Sequence, residues 1–319
     1  MFAATRKIVG VRKDRLLISE PSSKANTPPY ICIPCLSLFL VDRKVNVEGS
    51  CIFAAMIVDV FLSSVLFLIG VTVVFLYSRL DEKVDSLLGG QELQLKHVVL
   101  LVAAMGAMVT VLVFVPEQSM LVLFSFAYVV ALFLFTYLLV PKWYVAVVPP
   151  VLFILSFLYF WNIYLFNLFA IIFGISISVY MGSLFNWKTT IGFVSLLTVI
   201  DIIQVLVTRF TVASAQKALE LGLPIGVMLP AIPFTDNYTF LGLGDIFFLG
   251  LLGIQSTQKY GRKFGLASIA TMAVVFFLFQ TFMLNSSIQD FPATVFVISG
   301  WLTALAARYL YNLFTSKGK

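Results

Sequence analysis

Apolar and polar positions alternate along this chain on a long scale. Blocks of ~17–26 mostly apolar residues recur at about 52–77, 98–115, 119–140, 143–161, 163–185, 189–208, 240–257, 264–284 and 292–313. Each block is long enough to cross ~30 Å of hydrocarbon at ~1.5 Å per helical residue. The pattern predicts an all-α polytopic membrane protein with nine transmembrane helices. Breaks as short as Pro141-Lys142 and Asn186-Trp187-Lys188 force the spans they join to run antiparallel.

Two connections are longer. Residues 78–97 mix Asp81, Glu82, Lys83, Asp85, Glu92 and Lys96, and read as a solvated loop. Residues 209–239 open with an amphipathic helix over Thr211–Leu221, stopped by Gly222 and Pro224. Pro230, Pro233, Asp236 and Asn237 then predict an irregular stretch, and Thr235–Phe240 an extended segment at the membrane surface. Residues 1–50 differ from the rest. They carry eight of the 21 Lys and Arg and one apolar run, Tyr30–Val41, too short to span. They predict a basic, mobile tail ahead of a transmembrane domain over 51–319.

Composition sharpens this reading. The chain is 61% hydrophobic and 11% charged, where a soluble domain has about 25% charged residues. The net charge of +6 is scattered through loops, with no basic stripe interleaved with aromatics, so nucleic acid is not an expected partner. One histidine, His97, leaves little for a histidine metal site or a Ser-His triad. Cys32 and Cys35 have CxxC spacing, but one such pair without a second is weak evidence for zinc or redox chemistry.

The chemistry lies in two intramembrane carboxylates. Asp201 stands about seven residues before the end of the sixth span, and Asp245 about five after the start of the seventh. Both fall roughly 8–11 Å below the same membrane face at ~1.5 Å per residue, so antiparallel neighbours bring them to one depth. A charge near the bilayer centre costs ~2.5–3.5 kcal/mol on insertion scales. Two carboxylates within a few Å share one proton. One then draws a proton from water while the other protonates a scissile carbonyl, giving a gem-diol with no covalent intermediate, metal or cofactor. Gly242 and Gly244, ahead of Asp245, read either as room for an extended substrate backbone or as helix-packing positions.

At these residues the chain resembles a known family. Gly242-Leu243-Gly244-Asp245 is similar to the GxGD signature of the presenilins and signal peptide peptidases, intramembrane aspartyl proteases, and above all to the archaeal presenilin-like homologues. Asp201 falls where that family places its other aspartate. Pro292-Ala293-Thr294 corresponds to its Pro-Ala-Leu motif at the head of the ninth span, with Thr294 where leucine is expected, and Ile200 stands where a tyrosine usually precedes the first aspartate. The resemblance implies an intramembrane endopeptidase acting on transmembrane segments or remnant signal peptides. Asp201 and Asp245 would be catalytic, and Gly242, Leu243, Gly244, Pro292, Ala293 and Thr294 would bind substrate. The segment around Thr235–Phe240 would add the substrate as a strand. The partners it implies are the bilayer and transmembrane peptides; a homo-oligomer is a further expectation, and the oligomeric state stays open. The expected location is the cell membrane.

Two other readings stay open on the residues alone. Buried aspartates also serve ion- or proton-coupled transporters and leak channels, which predict internal repeats. Prepilin-type peptidases are also GxGD enzymes, but with fewer spans and a first aspartate in a cytosolic loop. Asp59 reads as a hydrogen-bonded interfacial aspartate or as a third functional carboxylate. Asn167, Gln204 and Gln280 read as interhelical hydrogen-bonders, and Arg308 as an interfacial anchor. Ten basic residues fall on one side and eleven on the other, a near tie that leaves orientation open.

Overall fold

The structure is a computed structural model. It describes residues 58–88, 93–232, 237–286 and 291–316, with short strands in the N-terminal region. Those strands are β1 (Arg6–Lys7), β2 (Val11–Arg12), β3 (Arg15–Leu16), β4 (Val41–Val45) and β5 (Cys51–Ala55). The CxxC cysteines and most of the basic tail lie outside the described residues.

The helices are α1 (Val60–Leu88), α2 (Leu95–Phe114), α3 (Glu117–Leu139), α4 (Trp143–Ala146), α5 (Val148–Tyr159), α6 (Ile163–Leu184) and α7 (Trp187–Ile202). After a π-helical turn at Ile203–Val207 come α8 (Phe210–Glu220), the hairpin β6 (Gly226–Pro230) and β7 (Asn237–Gly242), then α9 (Leu243–Tyr260), α10 (Arg262–Leu284) and α11 (Ala293–Ser316). Among the described residues, seven helices are long and apolar enough to cross a membrane. The chain is an all-α polytopic membrane protein.

Local chemistry sets many boundaries. Asn162 caps α6 by accepting from the Leu165 N–H at 3.0 Å. Asn186 and Thr189 form a reciprocal capping box at α7, each side chain taking a backbone N–H of the other. Pro149 and Pro150 in the first turn of α5 suit a helix start, where their missing N–H groups cost nothing. Gly222 (φ 71°) ends α8 and Gly261 (φ 90°) makes the α9–α10 turn, positions where a side chain would be strained. Lys217 on α8 donates to the carbonyls of Val113 (3.4 Å) and Val115 at the C-terminus of α2, groups that lack helical partners.

The structure corrects three sequence expectations. The charged segment after Tyr77 is not a solvated loop, because α1 runs on to Leu88. Leu80 and Val84 face the core while Glu82 and Lys83 face out, and no breaker occurs before Gly89-Gly90, so the segment is an amphipathic helical extension. The first apolar block also divides: its beginning is strand β5, and helix starts only at Val60. The stretch before Asp236 is not wholly irregular. Gly226–Pro230 is a strand, paired antiparallel with β7 from Gly226↔Gly242 to Pro230↔Tyr238.

Two of the nine apolar blocks are not among the seven helices: α9, and the block at 143–161, which forms the shorter α4–α5 unit, Trp143–Tyr159. The reason for α9 is position. Every residue from Asp245 to Ser256 is buried, with α1, α6, α10 and α11 packed around the helix. A helix enclosed by protein has no need of lipid-compatible residues at its end, and Gln255 uses this by donating to the carbonyls of Gly182 and Phe185.

Close approach of α9 to its neighbours depends on small residues. A Cβ at Gly250 would stand 2.5 Å from the Ser178 Cβ of α6 and 3.2 Å from Val73 of α1. A Cβ at Gly174 of α6 would stand 2.6 Å from Ile246 of α9. Two helices thus mesh through glycines on both sides, the packing that membrane interiors favour.

Candidate active site

Asp201 and Asp245 reach the site from different helices. Asp201 is one residue from the end of α7, just before its hydrogen-bond ladder loosens into the π-helical turn, where Thr208 N–H bonds to Ile203 O. Such turns re-aim the side chains around them. Arg209 follows in a left-handed conformation (φ 56°), uncommon for a residue with a side chain, and turns the chain into α8. Asp245 lies in the first turn of α9, three residues beyond the N-cap Gly242.

Both carboxyls lie in the protein interior, Asp201 9% exposed and Asp245 fully buried, on helices α7 and α9 that touch. A cavity of about 100 Å³ has Asp201, Gly244, Phe247 and Thr294 in its wall. Thr294 reaches it from the first turn of α11 and donates its hydroxyl to Asp201 Oδ2 at 2.5 Å. Pro292 and Ala293, directly before it, are buried, and the Pro292 carbonyl accepts the Val295 N–H as α11 begins. Three separate stretches of sequence therefore meet at one cavity, through Asp201, through Gly244 directly before Asp245, and through Thr294 after Pro292-Ala293.

The glycines of the motif adopt ordinary backbone geometry. Gly242 has φ −68° and ψ 151°, extended and available to any residue. It closes β7 opposite Gly226, whose own Cβ would press on the Phe240 ring. Leu243 starts α9, donating its N–H to Ile225 O at 2.9 Å, and so joins hairpin to helix. Gly244 borders the cavity without a side chain to fill it.

The hairpin leading into Asp245 is anchored from below. Asn167 of α6 accepts the Met228 N–H at 2.7 Å and donates to the Met228 carbonyl at 2.8 Å, as a neighbouring strand would. Tyr128 of α3 donates to Pro224 O at 2.8 Å, and the Trp161 indole N–H to Gly222 O at 2.9 Å. Asn167 thus serves the strand rather than another helix, which an isolated asparagine in an apolar run does not reveal. Asn167→Leu leaves two backbone groups of β6 unpaired, at about 1–3 kcal/mol each where they are buried. It is expected to lower thermal stability in detergent and to speed proteolysis within the hairpin, both readable by limited digestion during a melt.

Gln204 does bond between helices, donating to Gly106 O of α2 at 2.8 Å. It borders both the aspartate cavity and an outer crevice of about 310 Å³ between α2 and α7, so it forms the partition between them. Asp59 takes the N-cap position of α1, accepting the Leu62 N–H at 3.0 Å, with Gln280 and Thr239 beside it. Arg308 lies over the Tyr260 and Phe264 rings, 4.3 and 4.8 Å from their centroids. Among the described residues no group of three or more His, Cys, Asp or Glu side chains converges on one point.

Compared with known proteins, the chain matches no family model and no curated protein.

Proposed function

We propose that this protein is an intramembrane aspartyl endopeptidase, with Asp201 and Asp245 as its catalytic dyad. The observation that carries the reading is the meeting of Asp201, Gly244, which directly precedes Asp245, and Thr294 at one cavity. In this reading one carboxylate takes a proton from water and the other protonates the scissile carbonyl. The resulting gem-diol collapses as the leaving nitrogen takes up a proton. Substrates are transmembrane segments or remnant signal peptides, and the membrane is the cell membrane.

Strand β7 would receive the substrate. It pairs with β6 on one edge, and β1 covers only Asn237 and Tyr238 on the other. Among the described residues no strand pairs with the outer edge of Thr239–Gly242, which leads directly to Asp245. Main-chain pairing there would hold a substrate extended beside the dyad.

The proposal includes nine crossings, counting α4–α5 and α9 with the seven apolar helices. Chain-end contacts support this count. Val58, ahead of α1, bridges Ile232 in the connection after α7. Both belong on one face if an even number of crossings separates them, as it does when α4–α5 crosses. Asp201, near the end of α7, bonds Thr294 at the head of α11. An even number separates these too when α9 crosses along with α10.

The test is incubation of the purified protein with a transmembrane peptide in detergent, with products mapped by mass spectrometry. Cleavage inside the apolar segment is expected. Ion flux in proteoliposomes without any peptide cleavage would overturn the reading in favour of a transporter.

A further inference from the structure

We propose that Thr294 is a positioning residue that holds Asp201 as the proton-accepting member of the dyad. This rests on the protease reading and goes beyond it, since that reading treats the two aspartates alike and places Thr294 with the substrate-binding residues.

The inference follows from one close hydrogen bond. The Thr294 hydroxyl stands 2.5 Å from Asp201 Oδ2 and donates to it when Asp201 is ionised, the form a proton acceptor needs. Thr294 is 3% exposed, and its hydroxyl is carried on the first turn of α11, which Pro292 and Ala293 start from buried positions. Being β-branched, threonine has few rotamers, so the hydroxyl position is set by the helix. A hydroxyl so fixed orients the Asp201 carboxyl toward the cavity that both residues border.

Asp245 has different surroundings. It is fully buried, and its neighbour Gly244 rather than its own carboxyl borders the cavity. The dyad is thus asymmetric. Asp201 has a hydroxyl donor locking one oxygen, while its carboxyl borders the space where water would enter. In the proposed cycle Asp201 takes the proton from that water, and Asp245 gives one to the carbonyl. The leucine expected from the family resemblance has no hydroxyl, so this device belongs to the present chain.

The experiment compares kcat and KM for a transmembrane reporter peptide in the wild type, Thr294→Val, Thr294→Ala and Thr294→Ser. Valine keeps the shape and removes the donor. Its kcat is expected to fall about 10- to 100-fold with KM within about 2-fold of wild type, the loss of one hydrogen bond to a charged group. Serine restores the donor and should recover kcat to within about 3-fold. Alanine serves where valine does not fold, with the same expectation. Wild-type kcat in the valine or alanine variant, a loss confined to KM, or a failure of serine to rescue would each overturn the role of Thr294 and leave the protease reading standing. A wild type that cleaves nothing would remove both.

Discussion

Asp245→Asn and Asp201→Asn are each expected to lower cleavage of a transmembrane reporter by about 10²–10⁴-fold, the contribution of a positioned acid or base. The double variant should be no slower than the slower single variant, because groups that act as one unit are not additive. Asparagine conserves shape, so the folded protein should survive. Asp245 sits among buried residues on every side, and asparagine there removes a carboxyl without creating a cavity. Thermal melts in detergent should separate lost chemistry from lost structure. Near-wild-type cleavage in either single variant would remove that residue from the mechanism.

The second large effect concerns folding. Gly250→Leu is expected to prevent α9 from seating between α1 and α6. Even the first added carbon meets Ser178 Cβ at 2.5 Å and Val73 at 3.2 Å. Overpacking of this kind costs about 1–3 kcal/mol for a few atoms and more for a whole side chain. Gly250→Ala should therefore lower the melting temperature in detergent, and Gly250→Leu should yield little folded protein. Ala104→Leu, on an exposed position of α2, adds similar bulk and should change neither. Equal stability of the two leucine variants would mean that α9 is not packed as described.

The spans were legible because lipid-facing helices must be apolar along their length, and α2, α3 and α6 end within about three residues of their apolar blocks. The exceptions have two causes. Where a helix is covered by protein rather than lipid, hydropathy stops reporting it, and α9 carries Gln255, Ser256, Thr257 and Gln258 near its end. Where a helix runs on past its apolar block, exposed charges hide it, as Glu82 and Lys83 do on α1. Strand β6 was hidden by Pro224 and Pro230, which punctuate its ends rather than exclude it.

The site was legible in its parts and only half so in its arrangement. Counting residues put Asp201 and Asp245 at one depth, but depth says nothing of facing, which α7 and α9 supply by packing. Gly242 and Gly244 drew attention as the glycines beside an acid, yet the glycines that let α6 and α9 mesh are others, among them Gly174 and Gly250. Thr294 looked like a departure from a motif. Its hydroxyl bonds a residue 93 positions away in sequence, which no local pattern encodes.

The most direct test of the dyad is binding of a transmembrane peptide carrying a hydroxyethylene unit at the scissile position. Its secondary alcohol imitates one hydroxyl of the gem-diol and requires both carboxyls, and analogues of a transition state bind about 10²–10⁸-fold tighter than substrates. Saturable binding to the wild type is expected, at least about 100-fold tighter than the parent peptide and reduced to the parent's affinity by Asp201→Asn and by Asp245→Asn alike. Binding no tighter than the parent peptide, or unchanged in either variant, would contradict an aspartate pair at this cavity.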